Sequence, residues 1–287
     1  MLGYLYALIS ALSWSTASIL YGYALKERDA LTVTLLRIYP AFLTAIIGTI
    51  LLEKMDFSLL FDPYTLFLAV ICGAIGMFFG SYTYLYAIKK TGVSITYPIA
   101  FSYPVYVSLI TTQLMGEPLT IGLILGLAML LIGLITLSLS EKESREDHLF
   151  LGVLVAFLTS IIWAVNAVIA KIALYRASPI LFAMMRLLTL SIATTPLMIK
   201  KIKDAKSFTK WELLAATLGG AIGIGIGLIF SHLAIIEIGA ARTTVIGSSS
   251  PALSLLLAAV FLKEKLNPQK MVGSLAVTIA ILLVVFL

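Results

Sequence analysis

The chain has 287 residues, of which 61% are hydrophobic and 12% charged. Soluble domains carry roughly 25% charged residues, so lipid rather than water must solvate most of this surface. A formal charge of +6 and a pI near 9.3 would suit nucleic acid. The basic residues, however, stand in short segments between apolar runs, where Lys and Arg hold loops at an anionic membrane surface, and that distribution excludes a nucleic-acid partner.

A helix needs about 20 apolar residues to cross the hydrocarbon core, and ten runs meet or approach that length. Predicted helix one, Gly3 to Leu25, carries Trp14 and Ser18 and no acidic residue. It lacks a basic n-region and is too long for the h-region of a cleavable signal. Helix two, Leu31 to Leu52, holds Arg37, and helix three, Tyr64 to Ile88, holds Gly73, Gly76, Gly80 and the lone Cys72, which can form no internal disulfide. Helix four, Val93 to Met115, is polar and proline-interrupted at Tyr97-Pro98 and Ser102-Tyr103-Pro104; helix five, Ile121 to Ser140, follows Glu117-Pro118. After the polar stretch Glu141 to His148, helix six, Leu149 to Leu174, carries Trp163 and Asn166 on one face, and helix seven, Pro179 to Ile199, holds Arg186. Helix eight, Trp211 to Ile236, contains a glycine series and His232. Helix nine, Ala240 to Leu262, contains Thr243-Thr244 and Gly247-Ser248-Ser249-Ser250-Pro251, and helix ten, Gln269 to Leu287, follows Glu264.

The second half repeats the first. Trp14 and Arg37 return as Trp163 and Arg186, both 149 positions later, while Gly73, Gly76, Gly80, Pro104, Glu117 and Gly126 return 147 later as Gly220, Gly223, Gly227, Pro251, Glu264 and Gly273. The expected architecture is therefore an all-α integral membrane protein: residues 1–140 form a first five-helix repeat, 141–148 a linker and 149–287 a second repeat. Five is odd, so the second copy must enter the bilayer inverted, a construction shared by many secondary transporters. The segments after helices one, three, five, seven and nine hold Lys26, Arg28, Lys89, Lys90, Lys142, Arg145, Lys200, Lys201, Lys203, Lys206, Lys210, Lys263, Lys265 and Lys270, against Lys54, Lys171, Arg176 and Arg242 on the other side. By the positive-inside rule the first set is cytoplasmic and both termini are outside.

Arg37 and Arg186 lie roughly 9 and 10 Å from the starts of their helices. Intramembrane guanidinium groups face a cavity or a partner, which makes these two candidates for gates or for binding a substrate anion; the structural alternative is snorkelling or ties to backbone carbonyls. Helices four and nine, interrupted at Pro104 and Pro251, present Tyr97, Ser102, Tyr103, Ser248 and Ser249 as candidate cavity residues and the prolines as hinges, with ordinary small-residue packing as the alternative. Trp14, Ser18, Trp163 and Asn166 would give an aromatic wall and an amide suited to a solute with an apolar body and a polar head, unless they serve packing alone. His232 reads as a structural histidine or a further substrate contact. Glu117 and Glu264 are placed to cap helices five and ten, and the glycines to allow close helix packing.

The ordered set Thr91-Gly92-Val93, Pro104, Gly116-Glu117-Pro118-Leu119, Gly126 and Gly133, with Leu12-Ser13-Trp14-Ser15 and Arg37, resembles the ten-helix EamA-like branch of the drug/metabolite transporter superfamily. The second copy is similar at Ile162-Trp163-Ala164, Arg186, Gly239, Pro251, Glu264 and Gly273, although Lys263 stands where Gly116 precedes Glu117. The resemblance implies a carrier of small organic solutes that works by alternating access. It also implies termini in the cytoplasm, contrary to the loop charges. The superfamily's four-helix multidrug branch exchanges protons through a glutamate in its first helix, which this chain lacks. No zinc-protease, Gly-x-Ser-x-Gly or buried Asp-pair motif is present, so an enzyme is not expected; the residual enzymatic alternative is an intramembrane serine hydrolase using Ser248 to Ser250 with His232. The expected function is transport of amino-acid-like, anionic or zwitterionic solutes by facilitated diffusion or exchange, with a proton-coupled exporter as the alternative. No metal or cofactor is expected. The partners are a small-molecule substrate and membrane lipid, the state a monomer and the location the cell membrane.

Overall fold

A computed structural model describes residues 1–25, 28–52, 57–91, 93–139, 149–261 and 267–287. The linker 141–148 with Lys142, Arg145 and His148, together with Lys26, Lys54, Gly92, Lys263, Glu264 and Lys265, lies outside the described residues.

Among the described residues the structure is helical without strands. The helices are α1 (Leu2–Leu25), α2 (Ala30–Leu36), α3 (Ile38–Leu52), α4 (Pro63–Val70), α5 (Gly80–Thr91), α6 (Val93–Ala100), α7 (Tyr103–Met115) and α8 (Ile121–Ser138) in the first half. The second half has α9 (Leu149–Ala173), α10 (Pro179–Lys200), the short α11 (Ile202–Lys206), α12 (Lys210–Gly219), α13 (Gly227–Gly247), α14 (Ser250–Phe261) and α15 (Pro268–Phe286). The described parts of the ten apolar runs are thus mostly helical, and among the described residues eight helical runs are long and apolar enough to cross a bilayer. One of them, the 38 residues Lys210–Gly247, reverses at Gly239, whose φ of +83° ends one helix and starts the next. Only glycine enters that region without strain.

Helix starts follow local chemistry. Asp29, Asp62, Thr120, Ser178 and Asn267 each accept a hydrogen bond from a backbone N–H three residues on, and Thr209 and Glu212 form a reciprocal capping box. Pro63, Pro179 and Pro268 occupy the first turn, where a missing N–H costs nothing.

Two features escaped sequence reading. Ile71–Phe79 joins α4 to α5 as a π-helical segment, and Gly220–Ile226 joins α12 to α13 in the same way, at equivalent places in the two copies. The glycines of these segments receive the other copy. A β-carbon at Gly220 would collide with the Arg37 carbonyl oxygen, and one at Gly73 would come within 2.7 Å of the Arg186 carbonyl oxygen. Gly227 lies under Trp14 and Gly80 under Trp163 in the same reciprocal fashion. Lipid is as apolar as the helices, so contact this close, made possible by small residues, is what holds them together. Gly126, Gly133 and Gly273 likewise press α8 against α15, and Ser10 Oγ donates to Gly227 O at 2.8 Å between α1 and α13.

Candidate functional site: a central cavity

The helix breaks surround a cavity of 540 Å³ between the two copies. Arg37 stands between α2 and α3, the π-helical segments supply Gly76 and Gly223, and the breaks at Phe101–Ser102 and Ser248–Ser249 set the angles of α7 and α14. Trp14, Ser18, Tyr97, Tyr103, Trp163, Asn166, His232, Arg37 and Arg186, all singled out in the sequence, line it together. Ser102, Ser248, Ser249, Pro104 and Pro251 do not. Ser102 Oγ donates to Ile99 O at 2.7 Å and Ser249 Oγ to Ile246 O, satisfying themselves on their own helices, while Ser248 is fully buried. Pro104 and Pro251 sit in the first turns of α7 and α14, just beyond the breaks. Each therefore starts a helix rather than kinking a continuous one.

Arg186 is 3% exposed, and its guanidinium is met from two helices. Nη1 contacts His232 Nε2 at 2.8 Å and Nη2 donates to Asn166 Oδ1 at 3.3 Å, while Nε has no hydrogen-bond partner among the described residues. A guanidinium can only donate, so His232 Nε2 must be the acceptor. The other ring nitrogen, Nδ1, is 3.0 Å from the Pro179 carbonyl oxygen and must donate to it. His232 is accordingly a neutral imidazole fixed in one tautomer, with neither nitrogen left to activate a serine. Neither partner of Arg186 is charged, and no carboxylate lines the cavity among the described residues. A buried cation held only by neutral groups is poorly compensated and favours an anion beside it.

Arg37 is half-buried, lies 4.9 Å from the centre of the Tyr21 ring, and has an unpartnered buried Nε. Around Trp163 stand Tyr84, Phe101 and Tyr103 at ring separations of 5.3, 5.4 and 5.8 Å, with Tyr97 beyond them, 5.4 Å from Phe101. Across the cavity Ser231, Thr243, Thr244 and Ser250 present hydroxyls. Tyr21, Tyr84 and Phe101 were missed in the sequence. They have no ring or arginine at the matching position of the other copy to mark them.

A second hollow of 420 Å³ opens beside Gly239. Here Glu117, 9% exposed, pairs with Lys171 and accepts from Ala240 N at 2.7 Å, Ala241 N at 3.1 Å and Thr111 Oγ1 at 2.9 Å. This corrects the expected cap: Thr120 caps α8, whereas Glu117 caps the helix that restarts after Gly239. Burial pushes the Glu117 carboxyl up, but the Lys171 ammonium and the Ala240 and Ala241 N–H groups outweigh it and hold the carboxyl below the ordinary range. Lys171, counted in the sequence only as a loop charge, is the partner that the reading missed.

Apolar helices closed around an interior cavity of aromatic and hydroxyl side chains, with two arginines in its wall, define a multi-pass membrane protein built to admit a solute. The EamA-like transporter family matches residues 1–139 and again 150–286, and the chain belongs to that family. It is 26% identical over 284 residues to an uncharacterized transporter of Archaeoglobus fulgidus, covering 99% of this chain and 98% of that one. It is 25% identical over 193 residues to an uncharacterized transporter of Synechocystis, covering 67% of this chain and 58% of the relative. A solved crystal structure shares the fold with a TM-score of 0.80 at 19% identity, covering 99% of this chain and 98% of that one. The protein is a membrane transporter, not an enzyme.

Proposed function

We propose that the chain carries small organic anions or zwitterions, such as amino-acid-like solutes, across the membrane by alternating access, acting as a monomer within lipid. One observation carries the substrate charge: Arg186 is buried in the cavity wall among neutral partners, with no carboxylate lining the cavity among the described residues. A substrate carboxylate supplies the missing charge and makes charge-assisted bonds to the guanidinium. Trp14, Ser18, Tyr97, Tyr103, Trp163, Asn166 and His232 form the remaining wall of the substrate site, and Arg37 is its second cation.

Alternating access is supported by the duplication, which we read as two inverted five-helix repeats making ten crossings. The family matches twice, and each copy's glycines receive the other's arginine and tryptophan. Yet the environments of the related arginines differ: Arg186 is buried, whereas Arg37 is half-buried beside the exposed Gly22. One end of the cavity is packed and the other more open, and exchange of the two environments between the copies would reopen the site to the opposite face. Among the described residues the cavity lining holds no acid that could carry a proton, which favours facilitated diffusion or exchange over proton coupling.

Proteoliposome uptake tests this reading with labelled amino acids, carboxylates and nucleosides, with and without a pH gradient. Saturable uptake of carboxylates or amino acids that stops at equal concentrations, gradient or not, is expected. Uptake confined to neutral solutes would refute the anion assignment, and accumulation driven by the pH gradient would refute the uncoupled one.

A further inference from the structure

Because the two copies face each other across the cavity, their equivalent lining positions can be compared. Tyr84, Tyr97 and Tyr103 line it on the Trp163 side; the positions 147 later are Ser231, Thr244 and Ser250, which line it on the helices packed against Trp14. Phe101, 5.4 Å from Trp163, corresponds to Ser248. At these four positions the difference runs the same way, a ring in the first copy and a hydroxyl in the second. The scaffold was not altered with it: both tryptophans, the glycines beneath them and both arginines are kept. With the packing residues retained, these four differences give the cavity an aromatic side and a hydroxyl side.

The rings are not sealed in a core. Tyr84, Tyr97, Phe101, Tyr103 and Trp163 are all only partly buried and line the cavity; Tyr84 and Tyr97 stack at 6.0 Å, and the other ring contacts, at 5.3 to 6.0 Å, are tilted or edge-on. An aromatic box without an acid could hold an organic cation, but Arg37 and Arg186 line the same cavity and repel one. On the opposite wall Thr243 Oγ1 donates to Gly239 O at 2.7 Å and Thr244 Oγ1 to Ala240 O at 2.9 Å, so these hydroxyls keep only lone pairs for a ligand. That wall accepts from N–H or O–H groups.

Resting on the anion-carrier reading above, we infer that the cavity binds a ring-bearing carboxylate one way round. Its flat unsaturated ring lies among Tyr84, Tyr97, Phe101 and Trp163, its carboxylate meets Arg186, and its amino or hydroxyl donors face Thr243 and Thr244. The saccharide-like or straight-chain anions that Arg186 alone would accept lack a partner for the rings.

The test is equilibrium binding of labelled phenylacetate and octanoate, equal in charge and carbon number, to the full chain in lipid nanodiscs. Tyr84→Ser and Tyr97→Thr install the residues that the second copy carries. Phenylacetate should bind at least tenfold more tightly than octanoate, and each substitution should weaken it roughly tenfold, the scale of an aromatic pair contact. Octanoate binding should fall by clearly less than phenylacetate binding does, and a wild-type melting temperature with monodisperse elution shows that the variants fold. Equal affinity for both acids, unchanged in the variants, overturns the ring assignment and leaves the anion carrier standing. Binding of benzyl alcohol without either acid overturns the anion reading, and this substrate class with it.

Discussion

Arg186→Gln should lower carboxylate uptake by about 100-fold while leaving folded protein in the membrane. Truncating one member of a buried, hydrogen-bonded charge pair removes about 2–5 kcal/mol of binding, which brackets that factor. Glutamine can still meet a neighbouring side chain, so the helices lose little: the close contact that Arg186 makes with Gly73 runs through its backbone carbonyl, which the substitution keeps. Arg186→Lys should restore only a small part of the activity, because a point-like ammonium cannot reach His232 and Asn166 and still present a planar fork to a carboxylate. Arg37→Gln should be milder, since Arg37 is half-buried and lies against the Tyr21 ring. Uptake initial rates, normalised to protein recovered as a monodisperse species, measure all three; full activity of Arg186→Gln would remove the guanidinium from the mechanism.

Glu117→Ala should be the most destabilising single change to a charged residue. It leaves Lys171 without its partner in a largely buried place and strips the acceptor from the Ala240 and Ala241 N–H groups. Removing one member of a buried pair costs about 3–5 kcal/mol. Gly239 cannot compensate, because its left-handed backbone is what aims those N–H groups at the carboxylate. Folding lowers the pKa of Glu117, so its stabilisation is complete above the ordinary carboxylate value of about 4.3 and is lost as pH falls through the lowered one. Thermal unfolding in detergent should show a large drop in Tm for Glu117→Ala at neutral pH. Glu117→Gln, which keeps an acceptor but not the charge, should lie between, and the gap between wild type and Glu117→Gln should narrow below pH 4. A wild-type Tm matched by Glu117→Ala would reduce the pair to a surface contact.

How much was legible beforehand depends on whether the signal was local. Apolar length located the membrane-length helical runs, because crossing a bilayer fixes about 20 residues whatever the neighbours are; it did not give the short polar α11 or the breaks within runs. The offset of 149 paired Arg37 with Arg186 and Trp14 with Trp163, and these four line one cavity with Ser18, Tyr97, Tyr103, Asn166 and His232, which were singled out for polarity or aromatic character. The offset says which residues are equivalent, not which ones touch. Hence Glu117 was assigned to the adjacent helix although its partners are 123 and 124 positions away. Ser102 and Ser249 were chosen for polarity, but each satisfies itself on a carbonyl three residues back, and composition does not distinguish that from lining a cavity; Ser248 is buried outside the lining. Tyr84 and Phe101 needed the fold, since only packing against Trp163 separates them from other aromatic residues in lipid-facing helices.

The central claim is that one cavity serves both faces in turn. In a Cys72→Ser background, Gly22→Cys reports the rim where an added side chain meets open space, and Ile235→Cys reports the packed end, where Ile235 is 5% exposed and borders both the central cavity and the hollow beside Glu117. Reaction rates with a membrane-impermeant maleimide, applied to both faces, should be fast at Gly22→Cys and slow at Ile235→Cys, and a saturating transported carboxylate should shift the two rates in opposite directions. Simultaneous fast reaction at both, or rates that ignore the substrate, would contradict alternating access and point to a continuous pore or a static cavity.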